Sequence, residues 1–444
     1  MTQVRDESSA TGRYVTEFES FAGNGASVGP AWLRTKRESA IASFAATGFP
    51  HSRQEAWRFT DVKPIAREGF ALAPRPTVTA AARQAVDSLL LGAVDQHAAV
   101  FVNGYFVPEL SSLERLPQGV KLGSIKAAME SDPELLEKHL TRYASEERNP
   151  FTALSTAFIS DGGFVHLAAD VVLEQPLQLV FLADPVNTVN AVWHPRNLVI
   201  AERGAEGSVV ESYVALRDGT YWTNAVTEVV LGDNAKVDTY RVQRESTQAY
   251  HTATSESYQA RDSVFKLVNF TFGGQLSRQD INAVLDGEGA DCTLDGLSML
   301  DGSQHTDHHT TLEHAQPHCT SWEYFNGVFD DNARGVFTGR IVVRPGAQRT
   351  DSKQTNNNLL LSESARADSQ PQLEIYADDV KCTHGATLGP IDDDHLFYLE
   401  SRGLTRDQAR QLLTYGFASE ILSVVKLDEL KQQLDGLVRN GLAG

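Results

Sequence analysis

Val229 to Tyr240 reads VVLGDNAKVDTY: an apolar run, an acidic turn with one glycine, a single small residue at Ala235, then a second strand-like run. The scheme returns as LVIAERGAEGSVV from Leu198, AVLDGEGADCTL from Ala283 and GVFDDNARGVFT from Gly327, with Ala205, Ala290 and Ala333 in the small position. Strand-turn-strand units recurring tens of residues apart, each with a small residue at a tight corner, are what the stacked coils of a β-solenoid require. The spacing of the four units is irregular, so on these residues alone a β-helix and a β-sandwich both stand open.

Outward from these units the same texture holds from Gly163 to about Leu388, in segments such as LQLVFLAD, NAVTEVVL, SVFKLVNFTF and GVFTGRIVV, parted by Gly, Asp and Asn. Before it, WLRTKRESAIASFAATG is apolar at helical spacing and stops at Gly48 with Pro50 beyond, which predicts a helix over 31–47. Two more helices are expected near 124–129 and 132–144. After Pro390, LFYLESRG predicts a short helix. Thr405 with Gln408 then forms a capping box ahead of a stripe made by Ala409, Leu412, Leu413, Phe417, Ile421, Leu422 and Val425, which must be covered by something, and LDELKQQLDGLV offers a last helix to cover it.

A formal charge of −19 over 444 residues argues against nucleic acid or an anionic membrane as the main partner, since both repel an acidic protein at long range. No apolar run is long enough to span a bilayer and the first residues are polar, so a cytoplasmic protein is expected. Three widely spaced cysteines, Cys292, Cys319 and Cys382, encode neither a disulfide framework nor a self-contained zinc site. No GxSxG, Walker A or dinucleotide fingerprint occurs, so any ATP chemistry belongs to a partner.

Two places carry ligand chemistry. In PQLEIYADDVKCTHGATLG, Pro371 to Gly389, the whole run reads as strand, which puts Cys382 and His384 on one face about 6.5–7 Å apart, with Asp378 and Asp379 upstream. Thiolate and imidazole suit iron and zinc, but two ligands do not close a tetrahedral site. The rest must come from elsewhere in the chain, from sulfide, or from another protein. In HTDHHTTLEHAQPHC, His305, Asp307 and His309 alternate onto one face, as a facial metal set or as a hydrogen-bonded ladder. Cys292 reads as core filler, and TDSKQTNNNLLLS, Thr350 to Ser362, as a solenoid corner with an Asn ladder.

The run QLEIYADDVKCTHGATLGPID followed by LFYLESRGLTRDQARQLLTYGF closely resembles the SufD family of iron–sulfur cluster assembly proteins, as do EHAQPHCTSWEYFNGVFDDNARGVFTGRIVV, TDSKQTNNNLLLS and RQEAWRFTDV. The resemblance covers the chain from about Arg53 to Val425, with THG where SerHisGly is commoner in the family. It implies a mainly β protein: a right-handed parallel β-helix core over 163–390, an amino-terminal helical domain over 1–95, a mixed connecting region over 96–162 and a carboxy-terminal helical domain over 391–444. It also implies a non-catalytic scaffold that pairs with a related SufB protein, binds the ABC-type ATPase SufC, holds no stable cofactor alone and carries a transient Fe–S cluster in the complex. A homodimer is expected when the partner is absent. By motif position, His384 falls at the cluster-assembly interface with Cys382 beside it, and Phe397, Tyr398, Arg402 and Phe417 fall in the ATPase-docking region. The paralogous SufB type fits less well, because this chain has HGAT where SufB-like chains carry an acidic run and because its body is poor in cysteine. A β-helix carbohydrate-active enzyme would carry a secretion signal and clustered carboxylates.

Overall fold

The computed structural model describes residues 2–23, 29–91, 97–185 and 190–442, and within 2–9 the backbone only. From Arg196 onward the chain alternates between two sheets, and from Tyr221 every strand pairs in parallel with the strand two before it. One sheet runs Arg196–Ala201, Tyr221–Leu231, Tyr250–Gln259, Leu276–Leu285, His305–His314, Arg334–Val343 and Arg366–Ile375; the other runs Glu206–Ala215, Lys236–Arg244, Val264–Thr271, Asp291–Leu300, Thr320–Phe329, Asp351–Leu360 and Lys381–Gly389. The result is a parallel β-solenoid of about seven turns, with helices at both ends of the chain. A coil takes from 26 residues, Ser257 to Ala283, to 32 residues, Ile341 to Leu373.

The corners explain the sequence repeat. Ala205, Ala235, Ser263, Ala290, Cys319 and Thr350 stand one above another where the first sheet turns into the second, each no more than 1% exposed. The residue before each is left-handed: Gly204 (φ 67°), Asn234 (58°), Asp262 (53°), Gly289 (75°), His318 (63°) and Arg349 (58°). Close stacking is why the position stays small; a Cβ on Gly289 would strike the Asp262 carboxylate one coil away. Ala333 belongs to the opposite corner, over Gln304 and under Ala365, so the unit from Gly327 is not in phase with the other three. Cys319 is a corner residue and Cys292 fills the interior with Phe265, Leu267 and Leu294.

Inward-facing Val237, Phe265, Leu285, Leu312, Ile341 and Val343 form the apolar part of the core, each side chain adding about 1.5–3 kcal/mol by leaving water. TDSKQTNNNLLLS proves to be strand, not corner: Asp351–Leu360 points Asn356 and Asn358 inward and Asn357 outward, because its hydrogen bonds run to the coils on either side. Pro371 to Gly389 is likewise not one strand but the end of one and the whole of the next, separated by a corner at 376–380 in which Ala377 is buried.

At the amino end, Ala31–Thr47 is helical and stops at Gly48 (φ 67°), as its sequence predicts. A helix over Thr2–Gly23, which the sequence reading did not foresee, adds Tyr14 and Phe21 to an aromatic cluster with Phe44, Trp57, Phe151 and Trp222. The helix expected over 132–144 ends at His139. The buried Glu228 carboxylate accepts the N–H groups of Thr141, Tyr143 and Ala144 at 2.8, 2.8 and 3.0 Å, drawing the chain out of helical form. Two short strands, Tyr105–Phe106 and Val120–Ser124, pair antiparallel on the outer edge of the first coil.

At the carboxy end Thr405 and Gln408 form the predicted capping box for Arg406–Ser423. Asp428–Leu442 packs against it, and together they cover the outer face of the second sheet through Ala418, Ile421, Leu422, Val425, Leu434 and Val438. The helical stripe is thus buried at its distal end, while Leu412 stays 49% exposed. No helix among the described residues is long and apolar enough to cross a membrane.

Candidate functional site

The last coil is the place where the solenoid's regular pairing stops. Arg366–Ile375 and Lys381–Gly389 each pair along one edge, and among the described residues nothing pairs with the other. An open strand edge is a template for another chain unless it is blunted or covered. Here Ile375, Tyr376 and Leu388 stand 39%, 61% and 56% exposed on that end.

Cys382 and His384 lie on this final strand, in register with the inward-facing Ser352 and Gln354 of the coil before, so both occupy interior columns at their uncovered end. Their surroundings differ. Cys382 is half-buried against the core, and burial, with Asp351 adding to it, pushes its thiol up, so the sulfur stays protonated at neutral pH. His384 is exposed, and among the described residues its ring makes no hydrogen bond. Asp379 is turned away to Arg349.

Behind them the bore is polar, a feature the sequence reading missed. Arg241 holds Glu211 at 3.0 Å and Gln279 at 3.2 Å; Asn269 meets His308 at 2.9 Å; Gln354 donates to Glu323 at 2.5 Å. Burial pushes the Glu323 carboxyl up to about 7 and the His308 ring down to about 4, so both resist charging inside the coils. The signal was present as polar residues at alternate strand positions, which read equally well as a solvent face.

His305, Asp307 and His309 do come together, but around a guanidinium. Arg278 Nη1 lies 2.5 Å from Asp307 Oδ2 and Arg278 Nη2 2.8 Å from Asp280; His309 Nε2 lies 3.3 Å from Asp307 Oδ1. Thr60 bonds both Asp307 and the His305 ring, Arg278 also donates to Ala56 O, and its guanidinium sits 4.1 Å from the Trp57 ring centre. Burial would raise the Asp307 carboxyl, yet Arg278, His309 and the hydrogen bonds outweigh it and hold the group far below the usual carboxylate range. The cluster clamps the amino-terminal segment to the solenoid. Among the described residues no three His, Cys, Asp or Glu side chains converge as a metal site.

The short helix Asp393–Ser401 buries only Leu396. Phe397 and Tyr398 stand 71% and 56% exposed, with the Arg402 guanidinium 5.1 Å from the Tyr398 ring centre. Phe417 is half-buried on the following helix, its carbonyl accepting from Asn326.

Fold and site together define a class: a two-sheet parallel β-solenoid with antiparallel strands on its first coil, an unpaired parallel edge on its last, and helices at both ends of the chain. The chain belongs to the SufBD family of the SUF iron–sulfur cluster assembly system. Residues 185–417 match the family's SufBD core domain and 8–179 the SufBD protein N-terminal region. A SufBD family protein of Synechocystis is 34% identical over 90% of this chain and 89% of its own. The iron–sulfur cluster assembly protein SufD of Escherichia coli is 32% identical over 90% of each chain, and that of Bacillus subtilis 26% identical over 92% and 94%.

Proposed function

We propose that this chain is the SufD-type scaffold of a SUF assembly: its open coil pairs with a SufB-type protein, and its carboxy-terminal helices dock a SufC-type ATPase. The observation that carries this reading is the final coil, where uncovered strand edges, exposed Ile375, Tyr376 and Leu388, and the unengaged His384 ring share one end of the solenoid. One imidazole, with Cys382 beside it, leaves an iron site incomplete, and the missing ligands come from across the interface. The nascent cluster is cargo passing through; ATP is consumed by the ATPase, and this chain is non-catalytic. Phe397, Tyr398 and Arg402 form the exposed part of the docking surface, with Phe417 behind it. The units 1–95, 96–162, 163–390 and 391–444 divide the work between clamp, cap, interface and docking. Alone, the same edge pairs with a second copy, and the setting is cytoplasmic.

The test is co-expression with cognate SufB and SufC proteins and native mass measurement with and without ATP. His384→Ala should leave the fold and the three-protein complex intact and lower cluster formation at least tenfold, while His309→Ala does little. Equal loss from both changes, or no complex at all, would overturn the reading.

A further inference from the structure

Over the outer face of the second sheet, where the helix Ala80–Leu89 meets the last helix Asp428–Leu442, lies a cavity of about 280 Å³ that the assembly role leaves unused. The helices touch beside it through Gln433, whose side-chain amide donates to Leu89 O at 3.5 Å. Ser212 and Arg244 rise into its lining from neighbouring strands of the sheet, in register with Val242 and Val214.

Arg244 is the one charged side chain among the described residues of that lining, so no carboxylate there offsets it. It is half-buried, and it makes no hydrogen bond or ion pair among the described residues. Burial alone pushes its ionisation below the usual range. The guanidinium nonetheless stays charged. Elsewhere this protein does not leave a desolvated guanidinium unpaired: Arg196 is held by Glu228 at 2.8 Å, Arg241 by Glu211 at 3.0 Å and Arg278 by Asp307 at 2.5 Å, while Arg37 donates to Ile159 O at 3.0 Å. An unpaired charge taken partly out of water costs free energy, so Arg244 marks the place of an anion that the chain itself does not supply.

The other polar groups fix the kind of anion. The Ser212 hydroxyl and the side-chain amides of Gln432 and Asn440 line the same space, and none of the three has a partner among the described residues. With the guanidinium fork they offer more donors than the two oxygens of a carboxylate need, and they suit a tetrahedral oxyanion. The volume lies below the roughly 300–1,000 Å³ of sites for drug-sized ligands, which limits the occupant to a small one.

We propose that this cavity binds a phosphate group, held on the Arg244 fork and bridged to Ser212, Gln432 and Asn440, so that it pins the last helix to the sheet. The proposal is independent of the partner proteins. Its test is isothermal titration calorimetry of the full chain in chloride at constant ionic strength, with inorganic phosphate, glycerol 3-phosphate and acetate as probes. Phosphate should saturate one site, and acetate should bind about tenfold more weakly or worse. Tighter binding of glycerol 3-phosphate than of phosphate would assign the site to a monoester and weaker binding to free phosphate, and either supports the proposal. Arg244→Gln should weaken phosphate about tenfold or more, whereas Lys353→Gln, which removes the same charge from an exposed position on the same sheet, should not. Without phosphate the Arg244→Gln protein should be at least as stable as the unchanged one, since its guanidinium has no partner to lose. Absence of a saturable phosphate site, equal binding of acetate, or undiminished phosphate binding by folded Arg244→Gln protein would overturn the proposal. If that variant fails to fold, Gln432→Ala with Asn440→Ala, both at exposed positions, decides: phosphate affinity should fall severalfold, and an unchanged affinity would overturn the proposal.

Discussion

Arg278→Ala should be among the most damaging single substitutions in this chain. The guanidinium is 1% exposed and bridges Asp307 at 2.5 Å, Asp280 at 2.8 Å and the Ala56 carbonyl at 2.9 Å, under the face of Trp57. Its removal leaves the Asp307 carboxylate, also 1% exposed, without its principal countercharge, at a cost of about 3–5 kcal/mol, and forfeits a desolvated cation–π contact of about 2 kcal/mol. The two terms overlap, so about 5 kcal/mol is expected, a large share of a typical folding free energy of about 5–15 kcal/mol. Trp57 is part of the clamp, so its fluorescence in a urea titration reports release of the amino-terminal segment, while far-ultraviolet dichroism follows the strands. The Trp57 transition should move to lower urea ahead of the strand transition. The decisive control is Arg278→Met with Asp307→Leu: removing the guanidinium together with its more buried partner should restore much of the stability, since Asp280, 17% exposed, is the lesser of the two stranded charges. A single-variant cost below about 1 kcal/mol, or a double variant as unstable as the single one, would refute the reasoning.

Three further outcomes follow from other parts of the molecule. Burial raises the Glu256 carboxyl to about 8, so the native state binds the extra proton between pH 4.5 and 8 and stability falls as pH rises through that window. Glu256→Gln should therefore match the unchanged protein near pH 5 and exceed it by about 2–4 kcal/mol at pH 8.5 in denaturant titrations; a pH-independent difference would contradict this. Gly289→Val, at φ 75° and against Asp262, should lower the melting temperature by several degrees at about 1–3 kcal/mol, whereas Gly346→Ala, where nothing lies within 4 Å of a Cβ, should not. Phe397→Ser with Tyr398→Ser should leave stability within about 0.5 kcal/mol, since both are exposed, and weaken SufC-type ATPase capture in a pull-down at least tenfold; undiminished capture would move the docking surface elsewhere.

The solenoid was half visible in the sequence because its corners were read through alanine. Ala205, Ala235 and Ala290 mark three turns of one corner, but Ser263, Cys319 and Thr350 fill the same position, so every turn without alanine dropped out and the spacing looked irregular. Ala333 looked equivalent because the opposite corner has the same steric need. The pairing of Cys382 with His384 on one face was legible, since strand periodicity fixes it locally. The role of Asp307 was not: Arg278 arrives from the coil before and Thr60 from 247 residues away, and no spacing rule connects them.

A solenoid is a one-dimensional crystal and, left bare at both ends, would add copies without limit. Here Tyr105–Phe106 and Val120–Ser124 interrupt the parallel stacking at one terminus by pairing antiparallel, while Lys381–Gly389 keeps a regular parallel edge at the other. On the pairing proposed above, the chain is monofunctional in polymer terms: it terminates a stack and does not extend one, and growth along the solenoid axis stops at two.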